Sequence, residues 1–200
     1  MKSIFILLTK SDTNVSKLIK LITSDTYTHA SISFDEDLQP LYSFSRKYVY
    51  SPLPAGLRTE PLDKGFYQKY DYIPCALYEL SVEDDIYDAA KSEVEQMMEE
   101  ASTYRFNVLG LFLCKLNIPL HRNRQYFCSE FVSEVLSRCN ALKLPKHTSL
   151  MRPNDYTKFD ELVCLFEGRL NQLVQNKEKI TKPEKEDFYV FQETAPLPIG

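Results

Sequence analysis

Tryptophan is absent from these 200 residues, and only five glycines occur. Glycines so few and scattered leave no loop of the kind that cradles a phosphate. The five cysteines (Cys75, Cys114, Cys128, Cys139 and Cys164) include no C-x-x-C pair. That excludes a zinc knuckle or a dithiol redox motif and makes reduced thiols in a cytosol the simplest reading. Long hydrophobic runs are missing as well. The opening "IFILL" is shorter than the roughly 7–15 residues of a signal-peptide core. The run "VLGLFLCKL" at 108–116 falls far short of the roughly 20 residues that cross a bilayer. Net charge is −4 with both signs interspersed, so there is no footprint for nucleic acid. The acidic runs at 83–85 and 99–100 have no histidine at metal-ligand spacing and read as solvated faces. These absences predict a cytoplasmic chain with no transmembrane segment, no nucleic-acid partner, no metal and no cofactor.

What is present is a hydrophobic fraction of 44%, enough for one compact domain over residues 1–175 with a real core. Residues 176–200, charged and then proline-rich, read as a peripheral tail whose "FYVF" adds an edge strand. Strand signals lie at 3–10, 28–35, 41–47 and 75–82. Residues 28–35 alternate, with His29, Ser31 and Ser33 on one face and Ala30, Ile32 and Phe34 on the other. Helical spacing marks 15–22, 84–101 and 106–116, the last of them apolar enough to be buried. Ser81 and Asp84 resemble a capping box for the helix that follows. Residues 51–66 are rich in proline and glycine and read as an irregular loop, and 162–174 reads as a hairpin turning at Glu167-Gly168. Tyr48, Tyr50, Pro52 and Pro54 are candidates for a cleft rim. Strands and helices come in blocks, which predicts an α+β fold.

Chemistry concentrates in "QYFCSEFVSEVL" at 125–136. Phe127, Phe131, Val132, Val135 and Leu136 form an apolar stripe, leaving Ser129, Glu130, Ser133 and Glu134 to face outward or line a cleft. Cys128 falls in the first turn, where unpaired N–H groups and the helix dipole favour an anion. A thiol so placed can ionise well below its ordinary pKa of about 8.5. The other four cysteines sit in apolar runs, late in helices or at a strand start, and read as inert. The basic loop "HRNR" at 121–124 reads as solvated. A thiolate nucleophile calls for an imidazole base and a third group to orient it. Of the three histidines, His29 has small polar neighbours on its own strand face, whereas His121 and His147 lie in loops. His147 follows Cys128 by only 19 residues, too few for a helix, a crossover and a strand.

The order "YTHASISFD", "LYSFSRK", "YFCSEFVSEVL" resembles the permuted papain-like branch of the NlpC superfamily of cysteine hydrolases. That branch includes bacterial YiiX-like proteins, orthopoxvirus relatives and, more distantly, the lecithin:retinol acyltransferase group. The resemblance spans about residues 3–165 and extends to "YRFNVLGL" and "RPNDY". It implies a permuted papain-like fold, with an antiparallel sheet packed against the cysteine helix. Cys128 matches the nucleophile and His29 the base. The third polar residue falls on the following strand, where this chain offers Ser43 or Ser45, with Ser43 preferred. The backbone N–H of Cys128 would serve the oxyanion hole with a second donor, for which Tyr27 and Gln125 are candidates. The implied activity is a thiol hydrolase or acyltransferase acting on an amide or ester of a peptide, murein fragment or lipid. The rival expectation is a binding module of the same fold that has lost turnover, favoured by the lack of a carboxylate on that strand.

Overall fold

The computed structural model describes residues 1–10, 25–46, 55–62 and 72–176. The expected helix at 15–22, the rim residues Tyr48, Tyr50, Pro52 and Pro54, and the tail beyond Asn176 with its "FYVF" strand lie outside the described residues. The architecture is α+β. Strands β1 (Lys2–Thr9), β2 (His29–Ser33), β3 (Leu41–Arg46), β4 (Ala55–Thr59), β5 (Pro74–Val82) and β8 (Val163–Arg169) form one sheet in the order β4-β3-β2-β1-β5-β8. All its pairings are antiparallel. A separate short pair joins β6 (Arg105–Phe106) to β7 (Gln125–Tyr126) in parallel. The helices are α1 (Asp84–Glu99), α2 (Val108–Lys115), α3 (Cys128–Arg138) and α4 (Leu170–Gln175). None among the described residues is long and apolar enough to cross a membrane.

Strand β1 shows why the sheet is central. Ile4, Ile6 and Leu8 enter one apolar cluster with Ala90 and Val94 of α1 and Phe131, Val132 and Val135 of α3. Phe5 and Leu7, on the alternate face, join Leu41, Leu77, Leu170 and Leu173 in a second cluster. A strand buried on both faces needs no polar alternation, and "IFILL" has none.

Several sequence expectations change. Residues 55–59 are not loop but the edge strand β4, paired with β3 from Tyr42↔Thr59 to Arg46↔Ala55. An edge position tolerates the nearby prolines and Gly56, because one row of backbone groups needs no partner strand. Ser81 does not cap α1, since it belongs to β5; the cap is Glu83, with Asp84 and Asp85 in the first turn. Residues 162–174 are not a hairpin. Gly168 pairs with Cys75 inside β8, where a Cβ would come within 2.9 Å of the Phe166 ring. Leu170 and Leu173 then bury at helical spacing in α4.

Helix α3 differs most from its amphipathic reading: Ser129, Glu130 and Ser133 are as buried as its apolar stripe. Short helical turns at Thr148–Leu150 and Pro153–Lys158 cover the side that would otherwise meet water. The hidden polar groups find partners there. Ser129 Oγ donates to the Met151 carbonyl at 2.8 Å, and the Tyr156 hydroxyl reaches Ser133 Oγ at 2.6 Å and the Ser129 carbonyl at 3.0 Å. Glu130 accepts from the Phe127 N–H and from Asn107 Nδ2, both at 3.3 Å. Its other oxygen, Oε1, has no hydrogen-bond partner, and burial pushes the carboxyl up to about 7.

A carboxyl that ionises less readily folded than unfolded adds stability below its unfolded pKa, near 4.3, and loses it as pH climbs towards the folded value. Glu130→Gln keeps the shape without the charge. Urea unfolding should therefore show the variant gaining on the wild type by on the order of 2 kcal/mol between pH 5 and pH 8. A stability difference that does not change with pH would contradict the burial of this charge.

Candidate active site

The site is assembled from three separated segments. His29 opens β2, Cys128 is the first residue of α3, and Glu60 follows directly on β4. Antiparallel pairing explains how Glu60 reaches the imidazole. Ser33 stands opposite Leu41, and the N–H of Glu60 donates to the Leu41 carbonyl at 2.8 Å. By the two-residue period of strands, His29, Ser31, Ser43 and Glu60 therefore share a face. Glu60 Oε2 lies 2.9 Å from His29 Nε2 and accepts from Ser31 Oγ at 2.8 Å. The two side chains of this ion pair are only 15% and 14% exposed. With Nε2 committed to the carboxylate, Nδ1 is the ring nitrogen left for the thiol, and His29 and Cys128 lie close enough to shift each other's ionisation.

The electrostatics follow from that order. For His29, burial opposes the charged ring, but the Glu60 carboxylate and then the Cys128 sulfur raise its pKa well above the usual imidazole range. For Glu60, burial is likewise outweighed: the His29 charge, hydrogen bonds with His29 and Ser31, and the nearby Ser43 hydroxyl hold it below the usual carboxylate range. For Cys128, burial works against a thiolate. The charge and nearness of the His29 ring, with the N–H groups of Ala30 and Ser129, more than offset this, so the pKa is lowered. Each shift favours the charged form of its group: thiolate, imidazolium and carboxylate.

The structure brings together Cys128 and His29, the pair that sequence reasoning selects, but sets Glu60 rather than Ser43 against the ring. Ser43 lies on the same face and close enough to favour the charged form of Glu60. Its own Oγ nonetheless makes no hydrogen bond of normal geometry, and it is Glu60 that contacts the imidazole. Glu60 is missed because reading 51–66 as loop hides β4. A signal was present: "GLRTE" has strand alternation through Leu57 and Thr59, and Pro61 disposes Glu60 to an extended backbone.

A small cavity of about 30 Å³ opens beside the sulfur, bounded by Tyr27, Thr28, Leu111, Lys115, Cys128 and Arg152 among others. The Cys128 N–H, at the first helical position, has no intrahelical acceptor. Neither expected second donor serves the cavity. The Tyr27 hydroxyl donates to Glu167 Oε1 at 2.7 Å and its N–H to Asn154 Oδ1 at 2.7 Å, while Gln125 does not line the cavity. His121 and His147 lie together, ring centroids 6.3 Å apart, with His147 Nδ1 bound locally to Ser149 Oγ at 2.8 Å. Of the other cysteines, Cys114 lines the cavity wall and Cys75 is buried, whereas Cys164 is exposed and not in an apolar core. No cluster of metal-binding side chains occurs among the described residues.

Alkylation by iodoacetamide, read by peptide mass spectrometry so that Cys164 is counted separately, should show Cys128 ionising below the ordinary thiol pKa of about 8.5. His29→Ala should lift it above that value, because burial then dominates, and slow reaction at pH 6 by about tenfold or more. Glu60→Gln should move it in the same direction by less, and Ser43→Ala hardly at all. A thiol pKa that ignores His29→Ala would dissolve the proposed pairing.

Neither the protein-family models nor the curated proteins searched contain a match to this chain.

Proposed function

We propose that this chain is a cysteine hydrolase or acyltransferase of the permuted papain-like kind, cleaving an amide or ester through an acyl-enzyme. The observation that carries the reading is the Glu60–His29–Cys128 series at a helix start and cavity wall. Three further features support it. The histidine strand precedes the cysteine helix, the order that the resemblance implies. The imidazole is held by its Nε2, which leaves Nδ1 outside the ion pair. Finally, the carboxylate whose absence favoured a binding module is supplied by Glu60.

In the proposed reaction the Cys128 thiolate attacks the carbonyl carbon, and the developing oxyanion is met by the Cys128 N–H. The C–N or C–O bond breaks as His29 gives its proton to the leaving amine or alcohol, producing a thioester and a neutral ring. Water or another acceptor then loses a proton to His29 as its oxygen or nitrogen attacks the thioester. Breaking the C–S bond returns the thiolate–imidazolium pair. Glu60 fixes the ring and favours its charged form without itself taking a proton. Peptides, murein fragments and lipids all present suitable carbonyls.

The test is acylation by a panel of activated esters and amides, followed by intact-mass spectrometry and stopped-assay rates. Wild-type protein should gain one acyl group, and Cys128→Ala none. His29→Ala should slow acylation by about 10²–10⁴-fold, and Glu60→Gln by a smaller factor. The rate should rise with pH as Cys128 ionises and fall as His29 loses its proton. Glu60→Gln, which weakens the charged ring, should shift the alkaline limb to lower pH. Undiminished acylation of Cys128→Ala would end the assignment.

A further inference from the structure

Helix α2 is apolar on the side that faces water. Val108, Leu109, Phe112 and Leu116 are each about half exposed, at 52%, 51%, 52% and 54%, and Ile118 just beyond is 47% exposed. At about 100° per residue, the first four of these positions fall within a single arc of roughly 100°. They make one stripe. The adjoining side of the helix carries Leu111, Cys114 and Lys115, which line the Cys128 cavity. Asn107 locks the helix in this orientation: its Oδ1 accepts from the Gly110 N–H at 2.9 Å while its Nδ2 donates to Glu130 of α3 at 3.3 Å. The sequence reading of a buried helix is thus half right, for only Gly110 and Cys114 of α2 are buried.

Along the chain, the charges flanking the stripe are of one sign, although Asp25 lines the cavity on the adjoining side. Between Glu100 and Glu130 the sequence has no acidic residue but has Arg105, Lys115, Arg122 and Arg124, in a chain whose net charge is −4. Arg124 is engaged by Glu100 at 2.7 Å. No ion pair involves Arg105, Lys115 or Arg122 among the described residues. Pairing of Arg105 with Gln125, and of Gln125 with Arg122, gathers Arg105 and Arg122 on the flank from which α2 departs.

We propose that the stripe of α2 and this basic flank form a docking surface for an anionic lipid bilayer, holding the Cys128 cleft at the membrane surface. Apolar side chains enter the headgroup region while cations meet phosphate, the combination that seats interfacial helices. A symmetric pair of copies joined through this face would set cations against cations, which disfavours self-association as the occupant. That the cleft is thereby offered membrane-borne carbonyl substrates rests on the nucleophile reading above. The docking itself does not.

Co-sedimentation of the full chain carrying Cys128→Ser, which removes the thiol, tests the surface directly. It should pellet with equimolar phosphatidylcholine–phosphatidylglycerol vesicles and much less with phosphatidylcholine alone or at high salt. Phe112→Ser and Leu116→Ser should each weaken binding by about tenfold or more, with thermal unfolding unchanged. Arg122→Glu should weaken it by about fivefold or more, on anionic vesicles only. Absence of pelleting, pelleting indifferent to these substitutions, or a dimer dissolved by Phe112→Ser without vesicle binding would overturn the proposal. If the vesicles bind but Cys128 of the wild-type chain acylates nothing, docking stands and the hydrolase reading falls. Acylation at Cys128 without vesicle binding leaves the hydrolase reading in place and removes the docking.

Discussion

A buried charge must be matched, and the His29–Glu60 pair is the constraint around which the rest is arranged. Two ionised groups largely removed from water lose hydration worth several kcal/mol each, and only good geometry with further hydrogen bonds offsets the loss. Here the geometry comes from the β2–β3–β4 meander, and the additional hydrogen bonds come from Ser31, with Ser43 close by. An imidazolium fixed by one carboxylate carries positive charge on both ring nitrogens. Its free side therefore favours an anion, and the residue delivered there is a thiol at a helix start. The sheet thus makes the field, and α3 supplies the atom that uses it.

Holding that atom still demands that α3 be clamped on every side. Its apolar stripe meets the sheet, and the serines opposite are taken up by Met151 and Tyr156. Arg152, in the same covering segment, donates to the Cys114 and Lys115 carbonyls at the end of α2. Asn107 ties the start of α2 to Glu130. Helix α2 is therefore anchored at both ends to what surrounds the cysteine, while its outer face remains apolar and open. A surface resting on that outer face lies one helix away from the sulfur, with packed neighbours fixing the distance between them.

Local periodicity made part of this legible. The alternation of "THASISF" gives β2 and the face of His29, and the spacing of Phe127, Phe131, Val132 and Val135 gives α3 with Cys128 in its first turn. Features set by tertiary covering were not legible. Ser129 and Ser133 look solvated because nothing in the irregular stretch "HTSLMRPNDY", residues 147–156, announces that it will lie over a helix. Helix α2 looks buried because hydropathy records composition and not which side is left bare. Glu60 escaped notice for a related reason. Prolines around a short edge strand mask its pattern, and its partner lies 31 residues away.

Two buried carboxyls near one sulfur have opposite fates, and the contrast explains the balance of charge at the site. Glu60 faces a cation and stays ionised. Glu130 is wholly buried in the first turn of α3 and meets only neutral donors at hydrogen-bond distance, the nearest cation-forming group being His121 Nδ1 at 4.0 Å. Burial accordingly raises its pKa to about 7. A full negative charge at Glu130 would oppose the thiolate two residues before it and draw on the same helix dipole. Keeping that carboxyl reluctant to ionise, while still letting it accept the Phe127 N–H, closes the helix start with little electrostatic penalty at the sulfur. Environment, not residue type, sets one acid to stabilise the charged imidazole and the other to stay out of its way.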